Sequence, residues 1–396
     1  FEDKILVSNI KKRNYKKSPP APFNLGDLQG AAYNNFNYSP KKTQGIAQDL
    51  YEDGLISYPR TSSQKLPKDF DKKKTLKKIS KIKDYENIVK NLLKGNLIPN
   101  EGKKSDPAHP CIYPTGEKPK NLSKEQRKVY DLITRRFLAT FGDEAVRRST
   151  KVTLGDEHKF FTRARKTVKK GWLSIYGKYK NLKETEIPDM KENSLLPLNN
   201  IKKEEKETKP PSRYTPSSAV KKMEKLNIGT KATRANIIDK LYDRNYVSGK
   251  SLKVTTLGMK VVEALEEYAS EFLSPELTRK FEEELEKVRE GEMNKEKVLN
   301  ESKEELKQIL GKIRKNEKKI GETLNKAVRA ARRNKRTLGK CPKCGEDLIW
   351  IRSKKTGKRF VICTNEDCDV SYPLPQDGKI YSTDKTCDEC GTPIIK

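Results

Sequence analysis

The sequence predicts a multidomain α+β chain that ends in a cysteine-rich tail. Apolar residues recur at helical spacing through much of 25–144 and 213–313, residues 145–180 alternate with a period near two, and six of the seven cysteines follow residue 340. A chain of 396 residues has room for two or three cores. Against 86 Lys and Arg stand 55 Asp and Glu, a formal net charge of +31 that makes a polyanion the first partner to expect. Apolar residues make up only 33% of the chain, so part of it is expected to be solvated surface or linker. No apolar run is long enough to span a membrane, and the first residues do not read as a signal peptide. Phe1 stands where an initiator Met would, and the chain is expected to be a piece of something longer. Clustered Cys-x-x-Cys units argue against a disulfide-stapled secreted protein and for a reducing, cytoplasmic setting.

Along the chain, Ile5-Leu6-Val7 is followed by a Lys-rich run that ends in Ser18-Pro19-Pro20-Ala21-Pro22-Phe23, an extended strap because proline disfavours helix there. Ile46, Leu50 and Tyr51 fall on one helical face that stops at Gly54. Residues 68–104 are Lys-dominated short helices. Ser123-Lys124-Glu125-Gln126 fits a capping box, opening a stripe of Val129, Leu132, Ile133, Phe137 and Phe141 that Gly142 ends. Val152, Leu154, Phe160, Phe161, Trp172 and Ile175 predict a small antiparallel sheet. Residues 199–212 form a polar connection. Thr215-Pro216 then starts a run of helices that continues through Ser274-Pro275 to Ile313. Residues 314–340, with Arg329-Ala330-Ala331-Arg332-Arg333, read as a basic helix or linker.

In the tail, Cys341-Pro-Lys-Cys344 and Cys363-x4-Cys368 supply four thiolates on two knuckles, the set that tetrahedral structural zinc takes. Leu348-Ile349-Trp350 and Phe360-Val361-Ile362 between them read as ribbon strands. Cys387-Asp-Glu-Cys390 begins another metal knuckle without a second pair in sequence.

The most informative stretch is Gly54-Leu55-Ile56-Ser57-Tyr58-Pro59-Arg60-Thr61-Ser62-Ser63. Pro59 keeps Tyr58 out of the helical region, so an extended loop presents a phenol flanked by hydroxyls and a guanidinium. Arg60 has the fork that holds a phosphate and stabilises developing charge. A phenol with a pKa near 10 needs such help to act as a nucleophile. By spacing alone, however, an ordinary packed tyrosine is the commoner outcome.

The segment resembles the active-site tyrosine motif of type IA DNA topoisomerases, in particular the archaeal branch. Pro19 to Phe23 with Leu28-Gln29, then Asp106-Pro107-Ala108-His109-Pro110-Cys111-Ile112-Tyr113-Pro114-Thr115-Gly116, then Ile228-Gly229-Thr230-Lys231-Ala232-Thr233-Arg234-Ala235 with Arg244-Asn245-Tyr246-Val247, resemble further motifs of that family in the same order. The resemblance implies a toroidal architecture. Residues 1–24 and 145–212 would form a β-rich hinge, 25–144 a helical domain with the catalytic tyrosine, 213–338 a helical base with the single-strand DNA motif, and 339–396 zinc ribbons. It implies that Tyr58 attacks a DNA phosphodiester to give a 5′-phosphotyrosine link, that a strand passes and that the break reseals without ATP, relaxing negative supercoils. Arg60 would steady the scissile phosphate, and His109 would contact or orient the same region. Ser57, Thr61, Thr230, Lys231, Thr233 and Arg234 would contact DNA, and Gln29 would read or brace a base. His158, in Gly-Asp-Glu-His-Lys, is assigned to a surface turn.

One expected part is missing. The family's Mg²⁺ is held by an acidic cluster in an N-terminal Toprim domain, yet Asp69/Asp71 and Asp367/Asp369 are the only Asp-x-Asp spacings and neither follows a buried strand. The Mg²⁺ ligands are therefore expected outside this chain, in a lost N-terminal third or in a separate subunit. A non-catalytic DNA-binding protein on the same fold is the competing reading. A tyrosine recombinase is rejected because Tyr58 precedes His109.

Overall fold

Ile5, Leu6 and Val7 and the Lys-rich run after them form one long strand, β1 (Lys4–Lys17). In this computed structural model, which describes residues 3–180 and 182–396, β1 pairs antiparallel along most of its length with β2 (Ala145–Leu154). β3 (Phe160–Lys169) adds outside β2, and the first residues of β1 pair with the short β4 (Leu195–Pro197), giving the order β3-β2-β1-β4. The strands alternate buried and exposed residues only weakly, because Val7, Val152 and Ala164 are their few core members apart from Ala145 at the edge.

Helices follow where capping residues precede apolar periodicity. α1 (Leu25–Phe36) starts at Asn24, whose side chain accepts from the Asp27 N–H, and α2 (Pro40–Glu52) starts at Ser39 with proline in its first turn. The basic stretch 68–104 contributes α3 (Lys72–Ile79) and α4 (Glu86–Leu92). α5 (Lys124–Ala139) has the expected capping box of Ser123 and Gln126. Its Val129, Leu132, Ile133 and Phe137 are fully buried in a core shared with Leu28, Leu50, Leu76 and Ile79. Tyr51 does not join that core. It is 40% exposed, one step too far round the helix from Ile46 and Leu50.

The period-two reading fails at Trp172 and Ile175. Both lie at a short helix, α6 (Leu173–Tyr176), where their three-residue spacing places them together on the core. The Trp172 indole donates to the Lys17 carbonyl at 3.0 Å, tying the end of β1 to this helical core. α7 (Pro216–Lys225) opens at Thr215 with a second capping box, through Ser218, and α8 (Arg234–Asp243) follows a turn in which Gly229 takes φ 66°. All of this, up to residue 240 and with 250–252, forms the first of two compact units.

The second unit comprises 241–249 and 253–396. A small hairpin of β5 (Val247–Ser248) and β6 (Lys253–Val254) precedes α9 (Thr256–Tyr268), α10 (Pro275–Arg289) and α11 (Lys295–Lys315). The basic stretch left open between helix and linker is a helix, α12 (Glu317–Arg336), with Ala327 buried. Beyond it, β7 (Thr337–Lys340), β8 (Asp347–Arg352), β9 (Arg359–Cys363) and β10 (Ser371–Pro373) make an antiparallel sheet in the order β10-β9-β8-β7. β11 (Ser382–Thr386) pairs with β12 (Pro393–Ile395).

Candidate active site and zinc centre

The tyrosine loop is gripped from two sides. Gly54, at φ 70°, turns the chain out of α2, and the Leu55 and Ile56 side chains drop into the core. On one side the Ser57 N–H donates to the Tyr113 carbonyl at 2.9 Å, while the Ser57 hydroxyl donates to the Cys111 carbonyl (2.8 Å) and accepts from the Tyr113 N–H (2.9 Å). On the other, the Leu25 N–H donates to the Thr61 carbonyl at 3.0 Å and the Asn24 amide to the Ser62 carbonyl at 3.3 Å. Phe23 and Ile112 close the ring as a bridge pair, so the proline strap and the histidine segment sandwich the loop between them.

On this loop the half-buried Tyr58 ring meets His109 at 4.5 Å between centroids, tilted by 53°. Tyr51, exposed on α2, lies edge-on to Tyr58 at 5.3 Å. The Arg60 Nε is buried, and among the described residues Arg60 has no hydrogen-bond or ion-pair partner. A buried guanidinium nitrogen without an acceptor is costly, and an anion arriving from outside would satisfy it. The loop thus carries a phenol packed on an imidazole and, two residues on, an unpaired guanidinium, the groups a phosphate-attacking nucleophile needs.

A residue the sequence reading passed over organises these pieces. Asp106 accepts from the Ser62 N–H and hydroxyl, both at 3.0 Å, from the Ala108 N–H at 3.1 Å, and from the Lys231 ammonium. It therefore joins the tyrosine loop, the histidine segment and the Lys231 motif. Burial pushes the carboxyl up, but the Lys231, Ser62 and Ala108 donors outweigh it and hold Asp106 well below its ordinary 3.8. A depressed carboxyl stabilises the fold fully above its unfolded value and loses that contribution as pH falls through its folded value. Asp106→Asn is accordingly expected to lower stability at neutral pH and to flatten the loss of stability below about pH 4, read by urea melts across acid pH. Equal acid slopes for the variant and the parent chain would refute this role. The sequence held one signal for it, since Asp-Pro-Ala places a carboxylate where it can accept from the N–H two residues on.

Around Lys231, the Thr230 N–H donates to the Thr233 hydroxyl at 2.9 Å, the two hydroxyls lie 3.1 Å apart, and the Arg234 Nε donates to the Ile228 carbonyl at 2.9 Å. The motif thus preforms the turn that starts α8, with the Lys231 side chain 40% exposed beside Asp106. Gln29, Ser57 and Thr61, expected as DNA contacts, spend their side-chain groups within the protein. The buried Gln29 amide donates to the Pro40 carbonyl at 3.2 Å, and the Thr61 hydroxyl donates to the His109 carbonyl at 3.1 Å while accepting from the Ser63 N–H at 2.9 Å. His158 lies in the turn between β2 and β3, as expected.

In the second unit, the sulfurs of Cys341, Cys344, Cys363 and Cys368 lie within 4.8 Å of one another. Four thiolates 2.3 Å from one tetrahedral zinc would stand about 3.8 Å apart, and Cys341 and Cys368 are 3.8 Å apart, so the site fits the ion. Gly345, at φ 77°, lets its N–H donate to the Cys341 carbonyl and forms the knuckle. Cys387 and Cys390 form a similar knuckle, with the Gly391 N–H donating to the Cys387 carbonyl, but they lie apart from the quartet. Among the described residues no third His, Cys, Asp or Glu ligand gathers with them. The quartet is also the only such group of three or more among the described residues.

Comparison with known proteins decides the family. The family model described as DNA topoisomerase matches residues 2–300. The chain belongs to the type IA DNA topoisomerase family. A second model, the topoisomerase DNA binding C4 zinc finger, matches residues 338–377, which include the four-cysteine site. DNA topoisomerase 1 of Pyrococcus horikoshii is 50% identical over 98% of this chain and 58% of its own length. That of Methanocaldococcus jannaschii is 46% identical over 100% and 52%. The structure of full-length topoisomerase I from Thermotoga maritima superposes with a TM-score of 0.64 at 26% identity, covering 99% of this chain and 62% of that one. The chain therefore spans about half the length of the curated relatives it matches, and it shares the α+β type IA fold with a C4 ribbon. Among the described residues, no helix is long and apolar enough to cross a membrane.

Proposed function

We propose that this chain is the nucleophile-bearing part of an ATP-independent DNA topoisomerase that opens and reseals one strand of DNA. The unpaired, buried Arg60 Nε, two residues after a Tyr58 packed on His109, carries the reading. The phosphate of a single-stranded segment enters against Arg60, whose charge stabilises the phosphorane-like transition state and favours loss of the phenolic proton. Tyr58 Oη attacks phosphorus, the P–O bond to the neighbouring sugar breaks, and the 5′-phosphate remains on tyrosine while a 3′-hydroxyl leaves. After strand passage that hydroxyl attacks the phosphotyrosine and restores the original linkage, so negative supercoils relax without an external energy source. His109 orients the tyrosine ring and lies near enough to contact the phosphate.

Lys231, Thr230, Thr233 and Arg234 hold the single strand through its backbone. Gln29, Ser57 and Thr61 act by fixing α1 and the loop under the DNA. The Mg²⁺ expected for activity belongs to an N-terminal acidic Toprim domain, supplied by a longer chain or a partner subunit. The four-part division into hinge, tyrosine domain, base and ribbons follows from the same reading, and the cell's nucleoid DNA is the substrate.

The test is to incubate the chain with end-labelled single-stranded DNA and Mg²⁺, with and without the Toprim domain, denature, and map the adduct. A nucleotide carried by the peptide containing Tyr58 is the expected result. A nucleotide on another residue would overturn the assignment, and no adduct in either arm would favour a binding protein on the same fold.

A further inference from the structure

Strands β1, β2 and β3 carry a block of positive charge that neither the tyrosine site nor the zinc centre uses. Their register sets Lys11 opposite Lys151 and Lys151 opposite Arg163, and in the next row Arg13, Ser149 and Arg165. Alternate strand residues share a face, so all six project from one side of the sheet. Five cations thus occupy two rows about 7 Å apart, on strands about 5 Å apart. Lys11, Arg13, Arg163 and Arg165 are exposed, and Lys151 on the middle strand is half-buried. Among the described residues none of the five has a carboxylate partner. On the opposite face of these strands, by contrast, Arg148 donates to Asn14 at 3.0 Å and Lys16 pairs with Glu144 at 3.0 Å.

Like charges directly across neighbouring strands destabilise a sheet, so a Lys–Lys–Arg row costs stability that no carboxylate among the described residues offsets. We propose that this face is a second DNA surface, taking the phosphate backbone of duplex DNA. A surface built for single strands stacks bases on open aromatic faces. Here one face of the exposed Phe161 ring is taken by the Lys151 ammonium, 4.2 Å from its centroid, and Tyr15 is half-buried. Neither row holds an Asn or Gln to read base edges. Clustered Lys and Arg on a sheet face grip phosphates whatever the sequence, and the inference does not depend on cleavage at Tyr58.

The experiment measures binding of the whole chain to a labelled duplex and to the matching single strand across a salt series. Arg13→Gln/Lys151→Gln/Arg163→Gln is expected to weaken duplex binding about tenfold or more near 0.1 M salt and to make its salt slope shallower by about 2.7, from 0.9 per lost phosphate contact. Single-strand binding should change less than about twofold, and the low-salt melting temperature should hold or rise as repulsion is removed. Lys12→Gln/Arg148→Gln/Lys166→Gln removes equal charge from the opposite face and should leave duplex binding near that of the parent chain. Unchanged duplex affinity in the first variant, equal loss on the single strand, or equal loss in the opposite-face variant would each overturn the proposal.

Discussion

Tyr58→Phe is expected to abolish the covalent DNA adduct while affinity for single-stranded DNA stays within about twofold. The substitution removes one oxygen and leaves the ring that packs on His109 and Tyr51, so the loop keeps its shape. Only the nucleophile is lost, and the other loop hydroxyls, of Ser57, Thr61, Ser62 and Ser63, are each engaged within the protein. Arg60→Gln should slow adduct formation by about 10²–10³, the usual cost of deleting one donor that stabilises transition-state charge. Arg60→Lys should recover little of that loss, because an ammonium cannot reproduce the planar fork. Denaturing gels of the end-labelled DNA, alongside binding isotherms, separate the two effects. An adduct that survives in Tyr58→Phe would end the proposal.

Removing zinc should unfold the ribbon and spare the first unit. The ribbon's buried core is small, with Leu338, Leu348, Val361 and Leu374 around Cys341 and Cys363. Cores of that size do not hold a fold without a staple, and structural zinc in such modules supplies about 10–16 kcal/mol of apparent binding energy. Cys363→Ser, or a strong chelator, is therefore expected to cost the tightly held zinc equivalent and to expose residues 337–377 to protease. Trp350, stacked under the Arg336 guanidinium at 5.5 Å, should report the loss by a red-shifted emission. Trp172, buried against β1 and α5, should keep its environment. A ribbon that stays protease-resistant without metal would show that its strands stand alone.

What the sequence made legible was local. Ser123 with Gln126, Thr215-Pro216 and the Cys341 and Cys363 knuckles each carry their own geometry within a few residues, and each forms as read. Trp172 and Ile175 misled because two apolar residues between glycines fit a strand as well as a helical turn, and only the core beneath them decides. The pairing of Leu195–Pro197 with the start of β1 lay beyond reach, since a three-residue strand has no periodicity and its partner is almost two hundred residues away. At the candidate site, the resemblance to a family motif singled out Tyr58, Arg60 and His109, and the structure brings the Tyr58 and His109 rings into contact. The hub at Asp106 was not, because its four donors come from three separate segments. The internal bonding of Gln29, Ser57 and Thr61 was hidden for the same reason.

The clamp on the tyrosine loop also bears on when the site comes into being. Residue 23 must meet 112, residue 25 must meet 61, and residue 57 must meet 113 before the loop is held. Each is a non-local closure whose entropy is lost before any bond repays it, so such contacts form after the local helices. A chain still emerging or only partly folded has its helices but no fixed tyrosine, and Arg60 is not yet aimed. On the proposed reading, reactivity toward DNA is thereby withheld until residues far apart in sequence have come together.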